Sequence, residues 1–526
     1  MDNLENNEEA EKYLGLAMQA YAEENYEEAF KLYKKAAEQG DVNTQTWLCL
    51  MYKRGIGVGQ DYTKTLEWYE KVAEQGNAVA QYNLGMMYEV GMGVEKDYTK
   101  ALEWYEKAAE LGNGFAQYKL GYMYHSGEGI EQNVEKAFEC YKKAAEQGIA
   151  VAQCKLGFIY MYSKDKRDYD KAFEWYKKAA EQGYAIAQIW LGYMYRFGEG
   201  IEQNYEEAFE WYKKAAEQGN AGAQYDLGDM YYYGEVVEQD YDKAFEWYEK
   251  AAEQDDADAQ FKLGYMYLQG LGVEQNYEKA FEWSSKAAEQ DYDDAQYNLG
   301  YMYANGEGVE QDYGKAFKWF EKAAEQSDAD AQFLLGLMYQ LGEGVEKDVE
   351  KALEWYTKAA EQGDSDAQFK LGEMYRFGEG VEQDCEKAFE WYKKAAEQGN
   401  PEIQFFFGEM YMKGDGVDQN YEKALEWYGK SAEQGFPVAQ YNLGMMYGIG
   451  EGVEQDFEKA YEWFKKAAEQ GISNAQCILG VLYARGEGVE QDYVKAIEWF
   501  QKAAEQGNED AIKSLELLKN IMQGDE

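Results

Sequence analysis

Apolar residues recur along this chain at helical spacings of two kinds, and the two alternate. Between Ala80 and Phe115, Ala80, Leu84, Met87 and Gly91 fall at i, i+4, i+7 and i+11, a single stripe on a helix of 3.6 residues per turn. This spacing predicts a first helix whose stripe is core. From about Asp97 to Leu111, Tyr98, Ala101, Leu102, Trp104, Tyr105, Ala108 and Ala109 make a broader apolar face, with Glu, Lys and Gln opposite. That predicts a second helix packed on the first. Gly112 stands where a left-handed residue closes the second helix, and Asn113 where the next helix needs its N-cap. The two prolines, Pro401 and Pro437, follow that cap position by one residue, where a missing N–H does no harm.

The pattern is periodic. The glutamine after each first-helix alanine stands at 45, 81, 117, 153, 188, 224, 260, 296, 332, 368, 404, 440 and 476, in steps of 36 with one step of 35. Such a period marks a solenoid, in which no unit buries its own apolar face and each stacks on its neighbours. The fold class expected is all-α, an α-α solenoid of about fourteen helix-turn-helix repeats forming one continuous body. Residues 1–40 read as an N-terminal capping helix pair with a Glu23-Glu24-Asn25 turn, 41–507 as tandem repeats, and 508–526 as a C-terminal capping helix striped by Ile512, Leu515, Leu518 and Ile521. Two departures stand out. Asp255, Asp291 and Ser327 replace the closing glycine, which predicts a change of local curvature. Ser163-Lys164-Asp165-Lys166-Arg167 replaces a Gly-x-Gly loop with a shorter, basic one.

Counting positions from the first-helix alanine, 1, 5, 8 and 12 define the buried stripe, and 3, 7, 10 and 11 point roughly the other way. Position 3 is nevertheless apolar in nearly every repeat, from Tyr82 to Tyr441, and neighbouring position-3 rings are expected to stack on one another along the inside of the superhelix. Positions 7, 10 and 11 vary far more. They place Tyr122, Phe158, Tyr193, Arg196, Phe197, Tyr232, Tyr233, Tyr265 and Tyr301 on the same side, and Trp190 joins them. An exposed strip rich in Tyr, Trp and Arg is how interface hot spots look.

Charge narrows the partners. With 52 Lys and Arg against 101 Asp and Glu, the net charge of −49 repels phosphate backbones and anionic lipid, so neither nucleic acid nor membrane insertion is expected. No stretch approaches the length of a membrane span, and the N-terminus carries no basic start or apolar core of a signal peptide. A cytoplasmic location is expected, with signal-independent delivery to a host cell left open. Cys49, Cys140, Cys154, Cys385 and Cys477 lack regular spacing and read as reduced thiols.

Catalytic chemistry finds little purchase. The single histidine, His125, rules out the usual Ser–His–Asp, Cys–His and His-based zinc arrangements, and is expected on the surface. Ser163-Lys164-Asp165-Lys166 has the S-x-x-K form but lacks the S-D-N and K-T-G companions. Gly-x-Gly triplets such as Gly198-Glu199-Gly200 follow helices and carry an acid, so they read as turns and not as phosphate cradles. The Asp255-Asp256-Ala257-Asp258 joint lacks the spacing of a calcium loop. No catalytic residue, metal site or cofactor is expected.

Units of this form resemble the Sel-one-like repeat (SLR) family of the tetratricopeptide-like superfamily. The resemblance rests on Leu84-Gly85, Tyr88, Gly91-Met92-Gly93-Val94, Asp97-Tyr98, Lys100-Ala101 and Ala108-Ala109, repeated along nearly the whole chain. It implies a right-handed superhelix with first helices lining a concave face, and a role as scaffold or adaptor in protein complexes. A secreted, cysteine-rich branch is linked to β-lactam hydrolysis, but its paired cysteines are missing here and that activity does not carry over. The expected function is therefore non-catalytic binding of a basic or amphipathic peptide or protein segment along the aromatic face. Carbohydrate or cell-wall binding, with or without hydrolysis, is the alternative, since rings lined by carboxylates also suit sugars.

Overall fold

A computed structural model describes residues 2–524, with side chains from 9 to 520. Among the described residues there are 29 helices and no strand. Nearly all are 13 residues long and alternate between a first helix (A) and a second (B), as in A at Ala78–Val90 and B at Tyr98–Glu110. The fold is an all-α repeat solenoid.

Each helix ends where the sequence punctuates it. Asp97 caps helix B through its carboxylate, which accepts from Lys100 N at 3.0 Å, and Asn113 caps the next helix A by accepting from Ala116 N at 2.9 Å. Gly112 closes helix B with φ +86°. Asp255, Asp291 and Ser327 adopt the same left-handed conformation at φ +63°, +63° and +75°. Their turns keep the amide-to-alanine hydrogen bonds of the glycine joints, at 3.1–3.2 Å.

The Leu-Gly of each helix A has a packing reason. A Cβ on Gly85 would lie 2.7 Å from the Tyr105 ring, so the glycine lets helix B seat a large aromatic directly on helix A. The Gly-x-Gly loop works similarly. Gly93, at φ +72°, lies where a Cβ would fall 2.5 Å from the backbone of Tyr62, so the loop closes on the start of the preceding helix B. Helix A at Ala150–Tyr162 ends on Ser163 with φ −70° instead, and the loop after it sends Lys166 to Glu135 at 3.0 Å.

Adjacent repeats are tied by buried amides. The position-2 glutamine of helix A donates to an alanine carbonyl of the preceding helix B, as Gln117 Nε2 does to Ala109 O at 3.2 Å. Its own Oε1 accepts from the glutamine that ends the following helix B, as from Gln147 at 2.7 Å. The same bond recurs from Gln75–Gln45 to Gln506–Gln476.

Two compact units are present, Met1–Ala259 and Gln260–Glu526. The division falls inside the helix Ala257–Gln269, four residues after Asp255. In the first unit the core is built from alanines, Leu84, Met87, Tyr105 and their repeat counterparts; in the second, from Leu371, Met374, Tyr392, Phe407 and theirs. The final helix, Glu509–Gly524, turns Ala511 and Leu518 inward. Ile512, expected in its buried stripe, is exposed, and the side chain of Ile521 lies outside the described residues.

Candidate protein-binding face

The side of helix A away from the alanine-leucine-methionine stripe carries positions 3, 4, 7, 10 and 11. Position-3 rings are half-buried, but they do not stack on one another as expected. Most rest on the helix-B aromatic of their own repeat: Tyr82 on Tyr105 at 5.9 Å, Tyr118 on Tyr141 at 5.9 Å, Phe405 on Tyr428 at 5.4 Å; Phe261, whose repeat has Ser284 there, meets Tyr292 at 5.2 Å instead. The glycine at position 6 lets the helix-B ring lie directly against helix A, within reach of position 3. These rings are internal packing.

Positions 7 and 11 open to solvent. In the first unit Tyr122, Phe158, Phe197 and Tyr233 are exposed, and in the second Tyr265 and Tyr301 are. Trp190 and Tyr193 are half-buried and join their neighbours into one cluster. Phe158 meets Tyr162 at 4.8 Å and Trp190 at 6.1 Å, Trp190 meets Tyr193 at 5.6 Å, and Tyr193 meets Phe197 at 4.7 Å. Beneath them Trp190 stacks on the buried Tyr176 at 6.0 Å, which fixes the indole in place. Burial, and then the carboxylate of Glu199, push the Tyr193 hydroxyl above its ordinary pKa. Tyr232 packs against Tyr233 at 5.0 Å and against Tyr241 at 5.2 Å. Aromatic clusters of this kind offer large, rigid contact area at small entropic cost.

Arg196 needs a correction. It is not part of an exposed patch, being only 9% exposed. Its guanidinium forks onto Glu235, Nε to Oε2 at 2.9 Å and Nη2 to Oε1 at 2.7 Å, with Asp226 at 3.7 Å and Asp229 at 4.0 Å. All three acids belong to the following repeat, so Arg196 is a clamp across a joint. Tyr248 from the same repeat donates its hydroxyl to Asp229 at 2.6 Å. Desolvation raises the Asp226 carboxyl to about 7, with Asp229, Asp256 and Asp258 adding to the effect and Arg196 opposing it. Sequence reading passed over Asp226, Asp229 and Glu235. The signal for the two aspartates was an acid at position 4, where most repeats carry Asn or Lys, together with one at position 7, where Tyr is commonest; Glu235 stands in the loop that follows.

His125 is exposed, with Tyr141 at 6.4 Å. Among the described residues no group of three or more His, Cys, Asp or Glu is placed to hold a metal ion, and no helix is long and apolar enough to cross a membrane. Cys49, Cys154 and Cys477 are buried thiols, and Cys140 and Cys385 are half-buried.

The comparisons with known proteins agree with this architecture. The family model described as Sel1 repeat matches fourteen times, beginning at residues 6–41, 43–77 and 78–113 and ending at 437–472 and 473–508. The first of these includes the helix pair at the N-terminus. No curated protein matches the chain. Among solved structures, c5321, a protective antigen present in uropathogenic Escherichia coli strains displaying an SLR fold, is 39% identical over 86% of this chain and 90% of its own, with a TM-score of 0.60. A Sel1 repeat protein from Oxalobacter formigenes is 38% identical over 59% of this chain and 89% of its own, with a TM-score of 0.47. With fourteen matched units running from residue 6 to residue 508, the chain belongs to the Sel1 repeat family.

Proposed function

We propose that this chain is a non-catalytic scaffold that binds a basic or amphipathic peptide segment along the helix-A face, with the cluster Phe158, Tyr162, Trp190, Tyr193 and Phe197 as the anchor. Sel1 repeat solenoids are in general protein-interaction scaffolds, and the aromatic face supports such a role here. The observation that carries the reading is the juxtaposition of open rings with a cluster of carboxylates. Phe197 is 55% exposed, and the carboxylates of Asp226, Asp229 and Glu235 gather around the neighbouring Arg196. Apolar side chains of a ligand gain by covering the rings, and its lysines or arginines gain from the acid. The overall charge of −49 speeds encounter with such a ligand and makes it salt-dependent.

A fluorescein-labelled amphipathic Lys/Leu peptide, followed by anisotropy at about 50 and 300 mM salt, tests this. The intact chain is expected to bind, more weakly at the higher salt, and a folded variant with Tyr122→Ala, Phe158→Ala, Phe197→Ala and Tyr233→Ala to bind at least about tenfold more weakly. Equal binding by the two proteins refutes the assignment of the face. Salt-independent binding of a neutral oligosaccharide at the same rings favours the carbohydrate reading instead.

A further inference from the structure

Helix B carries a tryptophan at one fixed position in twelve of the fourteen repeats, from Trp68 to Trp499. In every one of the twelve, the lysine three residues on lies over the indole, at 3.7 to 4.5 Å from the ring. The other two residues at this position are Leu32 in the first repeat and Cys140. Lys143 stands three residues after Cys140, exposed and with no ring beneath it.

The wall that such a tryptophan packs against is still present around Cys140. Trp68 packs against the buried cluster Ala37, Leu48 and Tyr52, and Trp175 against a cluster that includes Ala145 and Leu156, on which Tyr160 packs as well. The matching residues in the Cys140 repeat are Ala109, Leu120 and Tyr124. They line, with Cys140 and Lys143, an open cavity of about 450 Å³ rimmed by Glu106 and Glu110. Gln117, Leu120 and Tyr124 face it from positions 2, 5 and 9 of their helix, not from the positions that carry the aromatic strip. The site is independent of the peptide-binding face.

We infer that this cavity is a socket for a tryptophan side chain presented by a partner protein, seated on Ala109, Leu120 and Tyr124 and covered by Lys143. The occupant is specified by the molecule's own precedent. Twelve sockets of the same make hold an indole under a lysine, and the thirteenth keeps the walls and the lysine while lacking the ring. An indole entering it regains the apolar contact and the cation–π contact that the other repeats make internally. A carboxylate-bearing ring is disfavoured by Glu106 and Glu110, so a neutral indole within a peptide fits better than a free anionic one.

N-Acetyl-L-tryptophanamide is the probe, and the readout is the rate at which N-ethylmaleimide modifies Cys140 in the full chain, site by site by mass spectrometry. A ligand of this size is expected to bind with a Kd on the order of 1 mM. At about 10 mM probe the Cys140 rate is then expected to fall about tenfold, with Cys385 unchanged as the internal control. N-Acetyl-L-leucinamide is expected to give no protection. By saturation-transfer NMR, Cys140→Ala is expected to retain probe binding and Cys140→Trp, which fills the socket from within, to lose it. Absence of protection overturns the inference, as does equal protection by the leucine probe or undiminished binding to Cys140→Trp. Protection that appears on raising the protein concentration alone also overturns it, by assigning the cavity to a second copy of the chain.

Discussion

Leu111 occupies the place from which a glutamine would donate to Gln81, and the buried Oε1 of Gln81 is left without a hydrogen-bond donor. All other helices B end in glutamine at this position, and from Gln75 onward each of these satisfies the helix-A glutamine 29 or 30 residues before it. A buried acceptor left unpaired costs about 1–3 kcal/mol. Leu111→Gln is therefore expected to stabilise the packing of this helix B on the helix A of its own repeat by about 1–2 kcal/mol. Slower amide hydrogen exchange over residues 78–117 would register the gain, and unchanged or faster exchange would contradict it.

The Arg196 clamp makes the opposite prediction. Arg196→Met removes the guanidinium that Asp226, Asp229 and Glu235 surround and weakens the charge compensation among them. Breaking a buried pair from one side costs about 3–5 kcal/mol, and about 2–3 kcal/mol is expected here because Glu235 stays partly in water. Adding Glu235→Gln to Arg196→Met is expected to recover part of the loss. Thermal unfolding of the single and double variants, analysed as a cycle, checks both statements.

Asp226 gives a pH dependence whose sign is fixed. Its folded-state pKa, about 7, lies above the ordinary carboxylate value, so between about pH 4 and pH 7 the folded chain holds a proton that the unfolded chain releases. Its contribution is full at low pH and is lost as pH rises through 7. Compared with Asp226→Asn, the native chain is expected to lose on the order of 1–2 kcal/mol between pH 5 and pH 8, discounted for the quarter of the side chain that meets water. Parallel melting curves of the two proteins across that range would refute the assignment.

The helices, their caps and the buried stripe were legible because each depends on residues a few positions apart, where turn chemistry and the 3.6-residue period decide the outcome. Ala80, Leu84 and Met87 are buried as the stripe predicts, and Asn113 caps as its position predicts. The face was legible in direction only. A helical wheel assigns Tyr82 and Arg196 to one side, but whether each meets solvent depends on Tyr105, 23 residues on, and Glu235, 39 residues on. Cys140 illustrates a different gap. Judged by its spacing from other cysteines it is one reduced thiol among five, whereas alignment of the repeats marks it as a missing tryptophan.

Because almost every joint is fastened by the same glutamine-to-alanine hydrogen bond, a unit can be removed or inserted without leaving that bond unmade. Excising 36 residues from the span 329–472 brings together a helix B that offers the alanine carbonyl and a helix A that carries the glutamine donating to it. Gain and loss of whole units is then nearly silent for folding, and the number of repeats becomes a freely adjustable character of the lineage. Leu111, Cys140, the Ser163 loop and Arg196 are the landmarks that such exchange would erase, and they all lie within one stretch of the first unit.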